Sequence, residues 1–203
     1  MKKTSQFVIN KILTRIYSHG RGWVFTPVDF IDLSNRSTIS ISLYRLQQKG
    51  TIRQLIRGLY DYPKIHPKLG ILDSSADNIA NALKGKKSAR IQPSGAYAAN
   101  LLGLTTQVPM KLIYLTDGRS KTVQLGNRQI ILKHTTPRNM ATAGRISGLI
   151  IQALRHYGKE NINGKIIAQL DRQLDKATRK QLIEDIRYAP AWIADIFRRL
   201  ASE

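Results

Sequence analysis

Proton transfer and metal binding in a chain without cysteine fall first to its histidines, His19, His66, His134 and His156. None stands three or four residues from another, so no single helix turns two of them toward one ion. The absence of cysteine removes thiolate zinc sites, disulfides and sulfur nucleophiles together. Ser94, in "QPSGAYA", lacks the flanking pattern of a nucleophile elbow and reads as the cap of a helix. "ALKGKKSAR" at 82–90 has no second glycine five residues before its lysine, so it is a basic turn and not a phosphate loop. Carboxylates cluster at Asp171 and Asp175 and at Glu184 and Asp185, and the first pair lies among Arg172, Lys176 and Arg179 as exposed helical ion-pair partners commonly do. These residues predict no catalysis, no metal and no cofactor.

Charge points elsewhere. Lysine and arginine number 33 against 13 acidic residues, a net +20 in 203 residues, and self-repulsion of that size is usually tolerated because the partner is a polyanion. A membrane partner is not expected. The longest apolar runs, such as "GLII" at 148–151, fall far short of the roughly 18 residues a span needs. The opening "MKKTSQFVINKILTRIY" is interrupted by Ser5, Gln6, Asn10, Lys11, Thr14 and Arg15, which reads as an amphipathic helix and not as a secretory leader. Lack of cysteine fits a cytoplasmic location.

The stretch "SLYRLQQKGTIRQLIRGLYDYP", residues 42–63, holds the residues suited to a polyanion. Phe7, Ile9, Ile12, Leu13 and Ile16 predict a first helix that ends before Gly20 and Gly22. "TPVDFIDL" predicts a short second helix with Thr26 as cap and Pro27 in its first position. A third helix opens after Ser34 or Asn35, runs from about Arg36 to Lys49 and ends at Gly50. "TIRQLI", a turn at Arg57 and Gly58, and "LYDY" make a β-hairpin. Three helices and then a hairpin is the order of a winged helix-turn-helix.

At about 100° per residue, Ile39, Leu43 and Leu46 form one apolar stripe of the third helix. Ser37, Ile41, Tyr44 and Gln48 lie opposite, flanked by Ser40 and Arg45, with Arg36 at the N-terminus. Small hydroxyls, a planar amide, an apolar contact for thymine methyls and a marginal arginine are what a major-groove helix needs. Arg53 and Arg57 on the hairpin reach phosphate or the minor groove, while Leu55 or Ile56 and Leu59 anchor it. Two other readings stay open. Winged folds also dock proteins, with Ile41 and Tyr44 then packing on a neighbour, and a sequence-independent RNA-binding protein accounts equally for +20. Arg45 is either a phosphate clamp or an ion-pair partner of Asp29 or Asp32.

"YPKIHPKLG" at 62–70 predicts an extended connection and places a domain boundary, giving a winged-helix domain at 1–65 and an α/β domain at 66–203. In the second, "SADNIANALKGKK" and "PSGAYAANLLGL" read as helices, and "MKLIYLT", "KTVQL" and "RQIILKH" as strands joined by turns at "DG" and "GN". From about Asn139 the pattern is mostly helical, with Tyr188, Trp192 and Phe197 either core or a docking face, and with Lys159, Lys165, Arg172, Lys176, Arg179 and Lys180 along the helices as either a second basic surface or a solvated face. The expected class is α+β.

The residues Leu43, Arg45, Leu46, Gly50, Arg57, Gly58 and Tyr60 match the helix end, glycine and Arg-Gly-x-Tyr wing of the AbiEi-like antitoxins of bacterial abortive-infection (type IV) toxin–antitoxin systems, which the chain resembles. "QPSGAYAANLLGLTTQVP" and "YLTDGRSKTVQLGNRQIILKHTTPR" resemble the larger members, so the likeness covers roughly residues 5–140. The resemblance implies an N-terminal domain that binds inverted repeats in double-stranded promoter DNA and represses transcription. It also implies a second domain that counteracts a nucleotidyltransferase-type toxin, without requiring a stable complex. Ile41 and Tyr44 on the reading face depart from what leaves an operator evident, and the strongly basic second domain suggests a polyanion contact there too.

Overall fold

The structure is a computed structural model that describes residues 2–85 and 88–202, with side chains from Gln6 onward; Lys86 and Lys87 of the basic turn lie outside them. It is an α+β protein that divides into two compact units, residues 1–83 and 84–203.

In the first unit, α1 (Lys2–His19) leads to β1 (Val24–Phe25), a single 3-10 turn (Pro27–Phe30), α2 (Arg36–Gln48), β2 (Arg53–Ile56) and β3 (Leu59–Asp61). The strands form an antiparallel sheet in the order β1-β3-β2, so three helical elements precede a β2–β3 hairpin. Local chemistry explains the boundaries. The carboxylate of Asp29 accepts from the backbone N–H of Thr26 at 2.8 Å and Pro27 sets the first φ, so the second helical element closes after one turn. Asn35 caps α2 by accepting from the N–H of Thr38 at 2.9 Å. Gly50, at φ +67°, ends it, with the N–H of Thr51 returning to the carbonyl of Leu46 at 3.0 Å.

The core of this unit gathers Ile12 and Ile16 of α1, Phe25, Phe30, and Ile39, Leu43 and Leu46 of α2. Phe25 meets the edge of Phe30 at 5.4 Å between centroids, and Trp23 lies 4.7 Å from Phe25, an aromatic wedge between sheet and helices. Each fully buried side chain of this core, Phe25 and Phe30 among them, contributes about 1.5–3 kcal/mol.

The boundary expected at residue 65 moves to residue 83 for a physical reason. Asp61, on the central strand β3, accepts from Arg53 Nη2 at 2.7 Å and from the hydroxyl of Ser74 at 2.6 Å. Arg53 also donates to the carbonyl of Leu72, and Asn78 of α3 (Ala76–Leu83) donates to the carbonyl of Gly22 at 2.8 Å. The segment after the sheet is thereby fastened to it. The connection predicted to be extended contains a small hairpin instead, β4 (Ile65–His66) and β5 (Gly70–Ile71). His66 shapes its turn by accepting from the N–H groups of Lys68 and Leu69, both at 3.2 Å.

The second unit is built on a four-stranded sheet in the order β6-β7-β9-β8, from β6 (Ile91–Ser94), β7 (Lys111–Thr116), β8 (Lys121–Leu125) and β9 (Arg128–His134). β7 and β9 run parallel, and the other neighbours antiparallel. α4 (Gly95–Leu101) and α5 (Ile146–Tyr157) pack together, followed by α6 (Gly164–Asp171), α7 (Lys176–Asp185) and α8 (Ala191–Ser202). Their core runs from Ala98 and Leu102 through Ile150 and Leu154 to Leu182, Phe197 and Leu200. The buried carboxylate of Asp185 is held by Arg145 at 2.7 Å and by the hydroxyl of Ser147 at 2.5 Å, which locks α7 to the start of α5.

Gly148 allows a second close approach, of α5 to β6 and to the turn that precedes α5. A Cβ there would lie 2.3 Å from the carbonyl oxygen of Thr142 and 2.9 Å from Gln92 Oε1. Gly148→Ala is expected to lower the stability of the second unit by about 3 kcal/mol, read as a lower urea midpoint; an unchanged midpoint would contradict this packing.

Candidate nucleic-acid interface

Burial of Ile39, Leu43 and Leu46 leaves them at most 2% exposed and fixes which way α2 faces. Ser42, also buried, bonds back to the carbonyl of Thr38 at 2.8 Å and takes no part in the outer face. The outer face carries Arg36, Ser37, Ser40, Ile41, Tyr44, Arg45 and Gln48, all exposed. Ile41 is 48% and Tyr44 58% exposed, so the apolar pair is left uncovered by the chain itself. Ser40 donates to the carbonyl of Arg36 at 2.9 Å, leaving its oxygen lone pairs as an outward acceptor.

The hairpin divides the two arginines assigned to it. Arg57 stands exposed in the two-residue turn between Ile56 and Leu59, where Gly58 takes φ +79°. Leu59 is buried while Leu55 and Ile56 are half-buried, so the hairpin is anchored as expected. Arg53, by contrast, is spent on the fold. Its Nε and Nη2 donate to the two oxygens of Asp61 at 3.2 and 2.7 Å, and Asp73 lies 3.9 Å away. The hydrogen bond to Asp61, then the charges of Asp61 and Asp73, outweigh burial and raise the guanidinium's pKa above its usual value. Arg53 is thus tied into the fold, while Arg57 is the arginine of the hairpin that stands outward for the expected phosphate or minor-groove contact. No periodicity shows which of two wing arginines faces a buried acid, since Asp61 sits opposite Arg53 only through the strand register.

Asp32, one partner considered for Arg45, is held by Arg15 through two bonds at 2.7 and 2.6 Å, and Asp29 caps its own turn. Sequence reasoning missed the β4–β5 hairpin, which presents Lys64, Lys68, Ile65, Leu69 and Ile71 to solvent. Two prolines and a glycine masked a turn that His66 completes.

In the second unit, Lys159, Lys165, Arg172, Lys176 and Lys180 are exposed, but Arg179 is drawn inward by Asp171 at 2.7 Å and by the carbonyl of Leu200. Phe197 is core, whereas Trp192 is half-buried in a shallow groove of about 620 Å³ with Ile162, Ile167, Ile196, Lys159 and Arg199. Tyr188 is half-buried beneath the guanidinium of Arg187 at 4.9 Å. Ser94 occupies the cap position of α4, yet its hydroxyl donates to Gln152 at 3.1 Å. Among the described residues no group of three or more His, Cys, Asp or Glu is placed to hold a metal ion. Among the described residues no helix is long and apolar enough to cross a membrane.

A family profile described as a family of unknown function, DUF6088, matches residues 11–182. The chain belongs to that family. The match spans both units, from within α1 to α7, so the sheet-and-helix second unit belongs to this DUF6088 protein as much as the first does. No curated protein matches the chain.

The Arg53–Asp61 pair has a consequence for stability. Asp61→Asn is expected to cost roughly 2 kcal/mol, because a buried pair loses its charge while Arg53, 32% exposed, keeps some access to water. Denaturant unfolding checks this, and a change below about 0.5 kcal/mol would show that the pair does not hold the sheet.

Proposed function

We propose that this DUF6088 protein reads double-stranded DNA with the outer face of α2 and represses its own promoter. The observation that carries the reading is the uncovered row Ser37, Ser40, Ile41, Tyr44, Gln48, set opposite a fully buried stripe on the same helix. A merely solvated face would carry lysine and glutamate at Ile41 and Tyr44. The net +20 supplies attraction to phosphate, with Arg36 and Arg45 on the helix and Arg57 at the wing tip as the contacts. Two copies on an inverted repeat would place two such helices in successive turns of the groove.

An antitoxin role rests on the resemblance of Leu43, Arg45, Leu46, Gly50, Arg57, Gly58 and Tyr60 to the AbiEi-like motif. In this reading the protein works in the cytoplasm, without catalysis, and its second unit counteracts a nucleotidyltransferase-type toxin. Co-expression of the full chain with such a toxin encoded beside it is expected to restore growth; continued arrest would count against that half of the reading.

The DNA half is tested by mobility shift of the full chain on its own upstream DNA and on a scrambled duplex, at about 150 mM salt where non-specific binding is weak. A preference of about a thousandfold is expected. Equal affinity would instead favour sequence-independent nucleic-acid binding, for which the exposed cations of α6 and α7 are the second candidate surface. Arg57→Ala is expected to reduce the slope of log K against log salt by about one. Arg53→Ala is expected to leave the slope unchanged in the folded protein.

A further inference from the structure

We infer that Ile41, with the ring of Tyr44 beside it, is a specificity determinant that reads the C5 methyl group of thymine; the inference rests on the DNA-binding reading above and deepens it.

The argument begins with what α2 offers. Ile41 lies four residues after Ser37 and three before Tyr44, so the three side chains form one continuous row on the helix surface. Ser37 and Ser40 are too small to cover an isoleucine, and the helix has its buried stripe on the far side. Half of the Ile41 surface is therefore apolar area awaiting a cover, at the middle of the element that fits a major groove. Base edges there are donors and acceptors with one exception, the thymine methyl.

The converse matters as much. Against guanine or cytosine, Ile41 would strip water from O6, N7 or the N4 amino group without supplying a bond in return. Penalty and reward thus act in the same direction. Gln48, exposed on the same face, offers a planar amide for another base edge, so the row combines one apolar reader with a polar one.

The test starts with selection of bound sites from a randomised duplex pool by the full chain, followed by replacement of each selected thymine with deoxyuridine, which deletes only the methyl group. At one fixed thymine of the half-site, uracil is expected to weaken wild-type binding about fourfold, the equivalent of one buried methyl. Ile41→Ala is expected to bind the thymine site more weakly than wild type and to lose the thymine–uracil difference, while Ile41→Val keeps it. Because Ile41 is exposed, thermal unfolding of Ile41→Ala should match wild type, which separates lost reading from lost folding. Convergence on sites without a fixed thymine, or a uracil effect of equal size in Ile41→Ala, would overturn the inference and leave DNA reading standing. Failure of the pool to converge would overturn both.

Discussion

The rotation of one helix about its own axis governs the account. α2 is 13 residues long, and Ile39, Leu43 and Leu46 enter the same core as Phe25 and Phe30. Turning the helix by even one residue would expose a stripe whose burial contributes several kcal/mol and would put Ser40, Tyr44 and Gln47 in the places of Ile39, Leu43 and Leu46. The outer row has no such freedom to move inward. A close-packed core, with an aromatic wedge on one side and α1 on the other, thus presents a fixed surface without any contact on that surface itself.

A second node fastens the hairpin to the segment that follows it. Asp61 is a carboxylate inside the sheet, where it would be costly alone, and it is satisfied from two sides by Arg53 and Ser74. One partner comes from the neighbouring strand and the other from the segment that leads to α3. The same bonds that stabilise the charge therefore fasten chain segments distant in sequence. The second unit uses the same device, with Asp185 receiving Arg145 and Ser147 where α7 meets α5.

Much of this was legible in the residues. The period of α1 and α2, the cap at Asn35, the glycine at 50 and the hairpin around Gly58 are local, and each follows from neighbours within a turn. The strands β7, β8 and β9 also announced themselves, by β-branched runs and turn pairs. What stayed hidden depends on partners far along the chain. β1 has only two residues, Val24 and Phe25, and exists because β3 pairs with it. β6 contains Pro93, and Pro93 and Ser94 read as the start of the next helix until β7 supplies the strand register. The pairing of Arg53 needed Asp61 opposite it, and the burial of Asp185 needed Arg145 and Ser147 brought to it from the start of α5. Local signals specified the face of α2 correctly because that face is set by period alone.

The central claim is one of location, that DNA lies along the outer row of α2 and the turn at Arg57. Nuclear magnetic resonance titration of the isotope-labelled full chain with a duplex from its own upstream DNA, at about 150 mM salt, tests it most directly. The account predicts amide shifts concentrated at Ser37, Ser40, Ile41, Tyr44, Arg45 and Gln48 and at Arg57 and Gly58. Shifts confined to residues 84–203, with those of α2 unmoved, would contradict it.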